Sequence, residues 1–209
     1  MNDPKEARLA AVLDVSRETF DRLNAYEALL KKWNPAINLV SAPTLAQVWE
    51  RHFLDSAQVF ALAMPRAGHW VDLGSGGGFP GLVIAAIAAE LAPDLTVTLV
   101  ESDRRKSAFL ATVSRDLGLN TQVIAKRIEE VEPLGADFLS ARALASLDAL
   151  LGFAERHLRP SGTAFFPKGA KWRDELAEAR KSWSISLKTH PSMTDPEAAI
   201  LEITGVQRV

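Results

Sequence analysis

Asp72, Gly74, Gly76, Gly78 and Gly81 are the residues whose types and spacing could do chemistry. They lie in Val71-Asp72-Leu73-Gly74-Ser75-Gly76-Gly77-Gly78-Phe79-Pro80-Gly81, which opens as a short apolar run and continues into the apolar stretch Leu82 to Leu91. That order reads as a strand, a tight glycine loop and the first turn of a helix, so backbone N–H groups can come close to a ligand. A Cβ in such a loop would block both positive φ angles and the close approach, which is why glycine recurs.

Two ligand classes use this design. Gly76-x-Gly78-x-x-Gly81 fits a dinucleotide pattern, and Glu101 ends the next strand-like run, where an acid accepts hydrogen bonds from a ribose. Asp72-x-Gly74-x-Gly76 fits instead the acid-x-Gly-x-Gly loop of S-adenosylmethionine sites. A carboxylate at a strand end repels a pyrophosphate but attracts the ammonium and sulfonium of the methyl donor. Asp72 by itself also reads as an ordinary turn or N-cap acid. Together with the alternate glycines and Glu101, it ranks the methyl donor ahead of NAD and leaves a nicotinamide-dependent oxidoreductase as the alternative enzyme.

The elements that must position this loop follow from the pattern. Up to about Gly68 the chain reads as helical: Phe20, Leu23, Tyr26, Leu30 and Trp33 recur at helical spacing, with Ser16 as N-cap and Asn34-Pro35 as the stop. Thr44-x-x-Gln47 reads as the capping box of a second helix carrying Val48, Trp49, Leu54 and Phe60 and ending at Pro65 and Gly68. Residues 1–68 are therefore expected to form an N-terminal helical extension, and 69–209 one compact domain. In the latter, strand-like runs at 70–73, 96–100, 122–125, 137–139 and 163–166 alternate with helical patterns at 82–91, 104–117, 146–158 and 174–182. That is repeated βαβ, a parallel sheet covered on both faces, with its ligand site at the strands' C-terminal ends. The runs 184–189 and 199–204 have no helix between them and are expected to pair antiparallel at the sheet edge.

Composition narrows the chemistry. The 209 residues, 47% of them hydrophobic, suffice for one good core, and no run has the length and apolarity of a membrane span. No export signal is visible at the N-terminus, so a cytoplasmic protein without membrane contact is expected. Zero cysteines exclude disulfides, thiolate metal sites and a cysteine nucleophile, and the four scattered histidines have no metal-ligand spacing. A net charge of −2 does not advertise a nucleic-acid binder. Even so, Arg104-Arg105-Lys106, Lys126-Arg127, Arg156-His157 with Arg159, and Lys168 with Lys171 and Arg173 cluster, several after predicted strand ends. An RNA site would be local.

Several segments in order then resemble one family. Asn38-Leu39-Val40-Ser41, Arg51-His52-Phe53-Leu54-Asp55-Ser56, the loop ending Gly78-Phe79-Pro80-Gly81, Ser140-Ala141-Arg142-Ala143 with Ser146-Leu147, and Pro167-Lys168-Gly169 resemble the bacterial 16S ribosomal RNA guanine-N7 methyltransferases, the RsmG or GidB family. The resemblance runs from about Trp33 to Gly169; Gly77 departs from it, because relatives often carry proline there. It implies a class I, Rossmann-like methyltransferase fold, α/β, with a seven-stranded and mostly parallel sheet, an antiparallel last strand and a helical extension. It also implies methylation of a guanine in the decoding-region loop of 16S RNA, with free RNA or the 30S subunit as partner. Donor contacts carried over by motif fall on Gly74, Phe79, Ile128, Glu129 and Arg142, beside the loop's Asp72 and Gly76 and the ribose acid Glu101.

Each of these residues has a plainer reading: helix N-cap for Glu101, core for Ile128, solvated face for Glu129, structural ion pair for Arg142. Arg51, His52 and Asp55 share one helical turn and by default pair within the helix, whereas the resemblance makes them a wall facing the RNA. Arg142 and Lys168 follow strand ends and are expected to touch RNA phosphates or the target base. No catalytic base is expected, because guanine N7 has an in-plane lone pair and no proton; the site needs only to align donor and acceptor. The absence of cysteine disfavours pyrimidine C5 methylation, and Ser140-Ala141-Arg142-Ala143 replaces the Asp/Asn-Pro-Pro-aromatic motif of exocyclic amine methylation. A non-catalytic adenosyl-binding ribosome-assembly factor is the alternative outside enzymes. A monomer is expected.

Overall fold

The computed structural model describes residues 3–209. Helices α1 (Pro4–Ala10), α2 (Arg17–Ile37), α3 (Ala42–Leu45) and α4 (Asp55–Ala63) precede the sheet, with a π-helical turn, Trp49–Leu54, running directly into α4. The remaining elements are β1 (Ala67–Leu73), α5 (Gly81–Leu91), β2 (Asp94–Val100), α6 (Arg104–Asp116), β3 (Thr121–Ile124) and β4 (Ala136–Ala141). After them come α7 (Leu147–His157), β5 (Leu158–Lys168), α8 (Trp172–Ala179), β6 (Trp183–Pro191) and β7 (Ala199–Arg208). The seven strands are ordered β3-β2-β1-β4-β5-β7-β6. Those from β3 to β5 are parallel, and β7 pairs antiparallel with both β5 and β6. The antiparallel insertion of β7 departs from the 3-2-1-4-5-6 order of dinucleotide-binding sheets.

Alternation along β1 divides the core. Trp70 packs with α2, α4, α5 and α6 on one face, while Val71 and Leu73 pack with α7 and α8 on the other. Helix α5 is buried along Leu82 to Ala88 because the sheet lies on one side of it and α2, α4 and α6 on the other. Leu9, Phe20, Tyr26 and Phe53 of the N-terminal region share one cluster with Trp70, Phe79 and Leu82, so the helical region packs into the same core as the sheet.

The N-terminal region is where sequence pattern and structure part. Helix α2 does not stop at Asn34-Pro35. It runs one turn further, because Asn38 adopts the left-handed conformation and donates its N–H to the Asn34 carbonyl, while Asn34 Oδ1 accepts from Val40 N. The lost Pro35 donor falls in the last turn and costs a single hydrogen bond. Thr44 and Gln47 do not form a capping box. Ser41 is the N-cap of the short α3, Thr44 Oγ1 donates back to the Ser41 carbonyl, and Gln47 Oε1 accepts from Arg51 Nε. Helix α1 gave no periodic signal because it is only two turns long.

Glu27 fastens this region together. Its carboxylate accepts from Lys5 Nζ at 2.7 Å and Trp49 Nε1 at 2.8 Å, and Lys31 Nζ stands 2.7 Å away. Burial alone would raise the Glu27 carboxyl, but the hydrogen bonds from Lys31, Lys5 and Trp49 outweigh it and hold the group below its ordinary value. A carboxylate depressed in the fold stabilises above its unfolded pKa, and that contribution is lost as pH falls through the folded value. Glu27→Gln should therefore lower Tm by about 3–6 °C at pH 7. The gap to the unsubstituted protein should close below about pH 4. Thermal melts of both proteins between pH 3 and 8 check this.

Candidate functional site

The loop after β1 is built by hydrogen bonds that continue the sheet past its end. Gly74 N and Ser75 N both donate to the Val100 carbonyl, at 2.9 and 3.1 Å, and Gly78 N closes a turn on the Ser75 carbonyl at 2.7 Å. Gly74, Gly76 and Gly78 have φ of 65°, 55° and 93°, so the turn needs glycine. A Cβ on Gly76 would meet only the Gly74 carbonyl at 3.8 Å, leaving that side open to a ligand. A Cβ on Gly74 would strike Leu144 Cδ1 at 2.6 Å, so what keeps that position small is a neighbouring loop.

Beside the loop is a cavity of about 720 Å³ lined by Gly74–Gly77, Phe79, Glu101, Lys106, Ile128, Glu129 and Arg142, among others. Seven of the eight residues expected to hold the methyl donor thus line one space. Glu101 is oriented by two backbone donors, Gly76 N to Oε2 at 2.8 Å and Asp103 N to Oε1 at 2.7 Å, and each oxygen keeps a lone pair for a further donor. The N-cap of α6 is Asp103, so Glu101 is released from that role. Ile128 and Glu129 come from a 3₁₀ turn, Ile128–Glu130, with Ile128 buried and Glu129 exposed.

Asp72 is the exception. It was expected to face the donor, but it is fully buried and lies beneath the loop, outside the cavity lining. Its Oδ1 accepts from Ser140 Oγ at 2.6 Å and its Oδ2 from Gly81 N at 3.3 Å. The register pairs Asp72 with Ser140 across β1 and β4, so the two side chains stand next to each other. Burial pushes the Asp72 carboxyl up to about 6, opposed by the bonds from Ser140, Ser75 and Gly81 and by Arg142. Asp72 therefore acts on a ligand through the loop and helix it fixes.

A second cavity, of about 360 Å³, adjoins the first, and Thr44, His52, Arg142 and Ala143 line both. Its own walls include Arg51, Asp55 and Lys168, together with Ser192, Thr194 and Asp195 of the β6–β7 loop. Arg51, His52 and Asp55 do not pair with one another within the helix. The π-helical turn sends His52 onto the Phe79 ring, with centroids 4.8 Å apart and planes 26° apart, and Asp55 toward Arg142. Arg142 Nη1 donates to the Arg51 carbonyl at 3.0 Å, lies 3.8 Å from Asp55 Oδ2, and its guanidinium sits 5.3 Å over the Phe79 ring. Burial lowers the His52 imidazole to about 3, helped by the Arg142 and Arg51 charges, so it is neutral at physiological pH. Burial also raises the Asp55 carboxyl, while Arg142, Ser192 and Thr194 draw it back.

Lys168 does not fit the phosphate contact expected of it. Its Nζ is 2.6 Å from Glu175 Oε2 and donates to the Ala145 carbonyl at 3.0 Å, with the side chain 11% exposed. Glu175 also accepts from Leu147 N at 2.8 Å, so this pair ties β5 to the start of α7. Helix α8, which carries Glu175, lies just beyond β5 and pairs off this charge, and the sequence had no way to show that. Among the described residues, no group of three or more histidine and acidic residues is arranged to hold a metal ion.

Sequence reasoning also missed residues. Tyr26, read only as core, stacks on Phe79 at 5.4 Å and 24°, and its hydroxyl donates to the Gly77 carbonyl. Burial pushes its pKa well above the ordinary value, so it stays a donor. Ala143 lines both cavities with φ 52°, a conformation in which a non-glycine residue is strained. Leu39–Ser41, noted only for resemblance, wall the first cavity. Tyr26→Phe keeps the stacking and deletes one hydrogen bond to the loop. It should weaken S-adenosylmethionine binding by about three- to tenfold with a near-native melt, as read by calorimetric titration.

Comparison with known proteins agrees with this geometry. A family model described as rRNA small subunit methyltransferase G matches residues 19–203. A protein of that name from Ruegeria pomeroyi is 56% identical over 200 residues, covering 96% of this chain and 98% of its own. Another from Paracoccus denitrificans is 52% identical, covering 93% of this chain and 99% of its own. The solved TehB-like S-adenosylmethionine-dependent methyltransferase from Corynebacterium glutamicum superposes with a TM-score of 0.58 at 16% identity, over 88% of this chain and 99% of that one. That likeness establishes the fold as that of class I S-adenosylmethionine-dependent methyltransferases. With a family model spanning most of its length and relatives more than half identical along nearly all of it, this chain belongs to the rRNA small subunit methyltransferase G family.

Proposed function

We propose that this protein transfers a methyl group from S-adenosylmethionine to N7 of a guanine in 16S ribosomal RNA, either free or in the 30S subunit. The observation that carries the reading is the pair of cavities meeting at His52, Arg142 and Ala143, one floored by the glycine loop and one open to a nucleoside. The donor, when bound, supplies a methyl carbon activated by a sulfonium. Glu101 takes the ribose hydroxyls, Ile128 the adenine face and Glu129 the adenine rim, while Gly74, Gly76 and Phe79 form the cradle. Asp72 keeps that cradle in place from below.

The acceptor's demands are modest. Guanine N7 attacks with its own lone pair, the carbon–sulfur bond breaks, and the positive charge passes from sulfur to the methylated base. No proton moves, so the neutral His52 is not needed as a base; with Phe79 it offers an aromatic ledge between the two spaces. Arg142 holds that ledge to the Arg51 carbonyl and to Asp55, fixing the approach on which in-line transfer depends. Exposed Arg51 stands at the mouth of the second cavity, where an RNA phosphate would pass.

Incubation with tritiated-methyl donor and either 30S subunits or free 16S RNA should place label in N7-methylguanosine on nucleoside analysis. Arg142→Ala should lower that turnover on the order of 10²-fold through misalignment, while the protein still melts cooperatively. Label in another nucleoside, or an Arg142→Ala variant as fast as the unsubstituted protein, would refute the reading.

A further inference from the structure

We infer that Asp55 is the residue that selects guanine, by accepting hydrogen bonds from N1–H and the N2 amine of the target base seated in the second cavity. This rests on the guanine-N7 reading above. Asp55 stands where the π-helical turn meets α4, with its side chain 13% exposed. Its Oδ1 accepts from Ser192 Oγ and Thr194 Oγ1, both at 3.4 Å. Its Oδ2 accepts no hydrogen bond among the described residues, and the Arg142 guanidinium is 3.8 Å from it. A desolvated carboxylate with acceptor capacity facing a cavity calls for donors, and charge-assisted bonds to two parallel N–H groups satisfy it.

The other acids of this cavity are spoken for or misplaced. Glu175 is held by Lys168 at 2.6 Å and Leu147 N at 2.8 Å. Asp195 caps Glu197 N at 3.0 Å in the β6–β7 loop. That loop is itself pinned beside Asp55, since Gln58 Nε2 donates to the Pro191 carbonyl at 2.8 Å and Met193 N to Gln58 Oε1 at 3.0 Å. Asp55 is thus preorganised from both ends of the chain.

Guanine matches this acceptor and adenine does not. The N1/N2 edge of guanine presents two donors side by side, whereas adenine places the N1 lone pair there, against the carboxylate. The N7 edge lies on the far side of the purine. A base held by Asp55 through N1 and N2 therefore leaves N7 unengaged, in a cavity that shares Thr44, His52, Arg142 and Ala143 with the donor cavity.

The test uses 30S subunits reconstituted with 16S RNA carrying guanosine or inosine at the methylated position, inosine lacking only the N2 amine. The unsubstituted protein should prefer guanosine by about tenfold in kcat/KM, the scale of one charge-assisted hydrogen bond. Asp55→Asn should lose about that factor on guanosine, and its guanosine-to-inosine ratio should collapse to within about twofold, with donor affinity unchanged. The inference is overturned if Asp55→Asn retains the ratio, or if the unsubstituted protein methylates both substrates alike. That last arm needs no variant to fold. An unsubstituted protein that forms no N7-methylguanosine on guanosine subunits instead sinks the proposed reaction itself, so the two failures are told apart.

Discussion

A single buried carboxylate joins the parts of this site. Asp72 binds Ser140 of β4 and the first N–H of α5, and Ser140 in turn accepts from Trp70 Nε1 at 2.9 Å. Two central strands and the helix that follows the glycine loop thus meet at one side chain. The arrangement has an energetic cost. A carboxyl whose folded pKa rises to about 6 favours the fold most below its unfolded value, and that advantage fades as pH climbs through 6. At neutral pH the ionised group disfavours folding by roughly 3 kcal/mol relative to a solvated carboxylate. That cost is what remains after the Gly81 N–H at the start of α5 and the Ser140 hydroxyl have offset part of the desolvation, and what the charge brings in return is a fixed loop.

The same logic explains why the N-terminal helices belong to the site. A glycine loop is permissive, and something outside the sheet has to hold it in one conformation. Tyr26 does so from α2 through Gly77 and the Phe79 stack, while Leu39 packs against the loop where a Cβ on Gly77 would come within 3.2 Å of its carbonyl. The π-helical turn and the start of α4 then place His52 against both cavities and Asp55 in the second. A regular helix of this length would rotate those residues differently, and π turns are found disproportionately where function sets geometry over regularity.

How much of this the sequence disclosed follows from how local each feature is. Strand, loop and helix around Gly74–Gly81, the βαβ alternation and the antiparallel ending rest on contiguous patterns, and all were legible. So was the gathering of Glu101, Ile128 and Glu129 along one cavity, because residues at strand C-termini meet at one edge of a parallel sheet. The direction of Asp72 was not, since a strand residue faces ligand or core according to what packs on that face. Lys168 and Arg142 looked alike as cations after strand ends, yet one is neutralised by Glu175 and the other is stretched between Asp55 and Phe79. Partners distant in sequence decided both. The role of the β6–β7 loop was invisible for the same reason, because Gln58 and Asp55 that hold it lie over a hundred residues away.

These partnerships also bear on how a chain of net charge −2 engages a polyanion. The inner cations, Arg142 and Lys168, are paired with acids and set geometry. Exposed Lys126 and Arg127, with the half-buried Lys106, line the first cavity on the β2–β3 side, and exposed Arg51 lines the second. On the function proposed above, a basic rim around a neutralised interior would attract the RNA backbone and leave the second cavity to read a base by hydrogen bonds. Counterion release scales with the phosphates contacted, so a few well-placed rim cations suffice whatever the total charge. On that proposal specificity falls to the buried groups, whose misfit with a wrong base salt screens far less than it screens the rim charges.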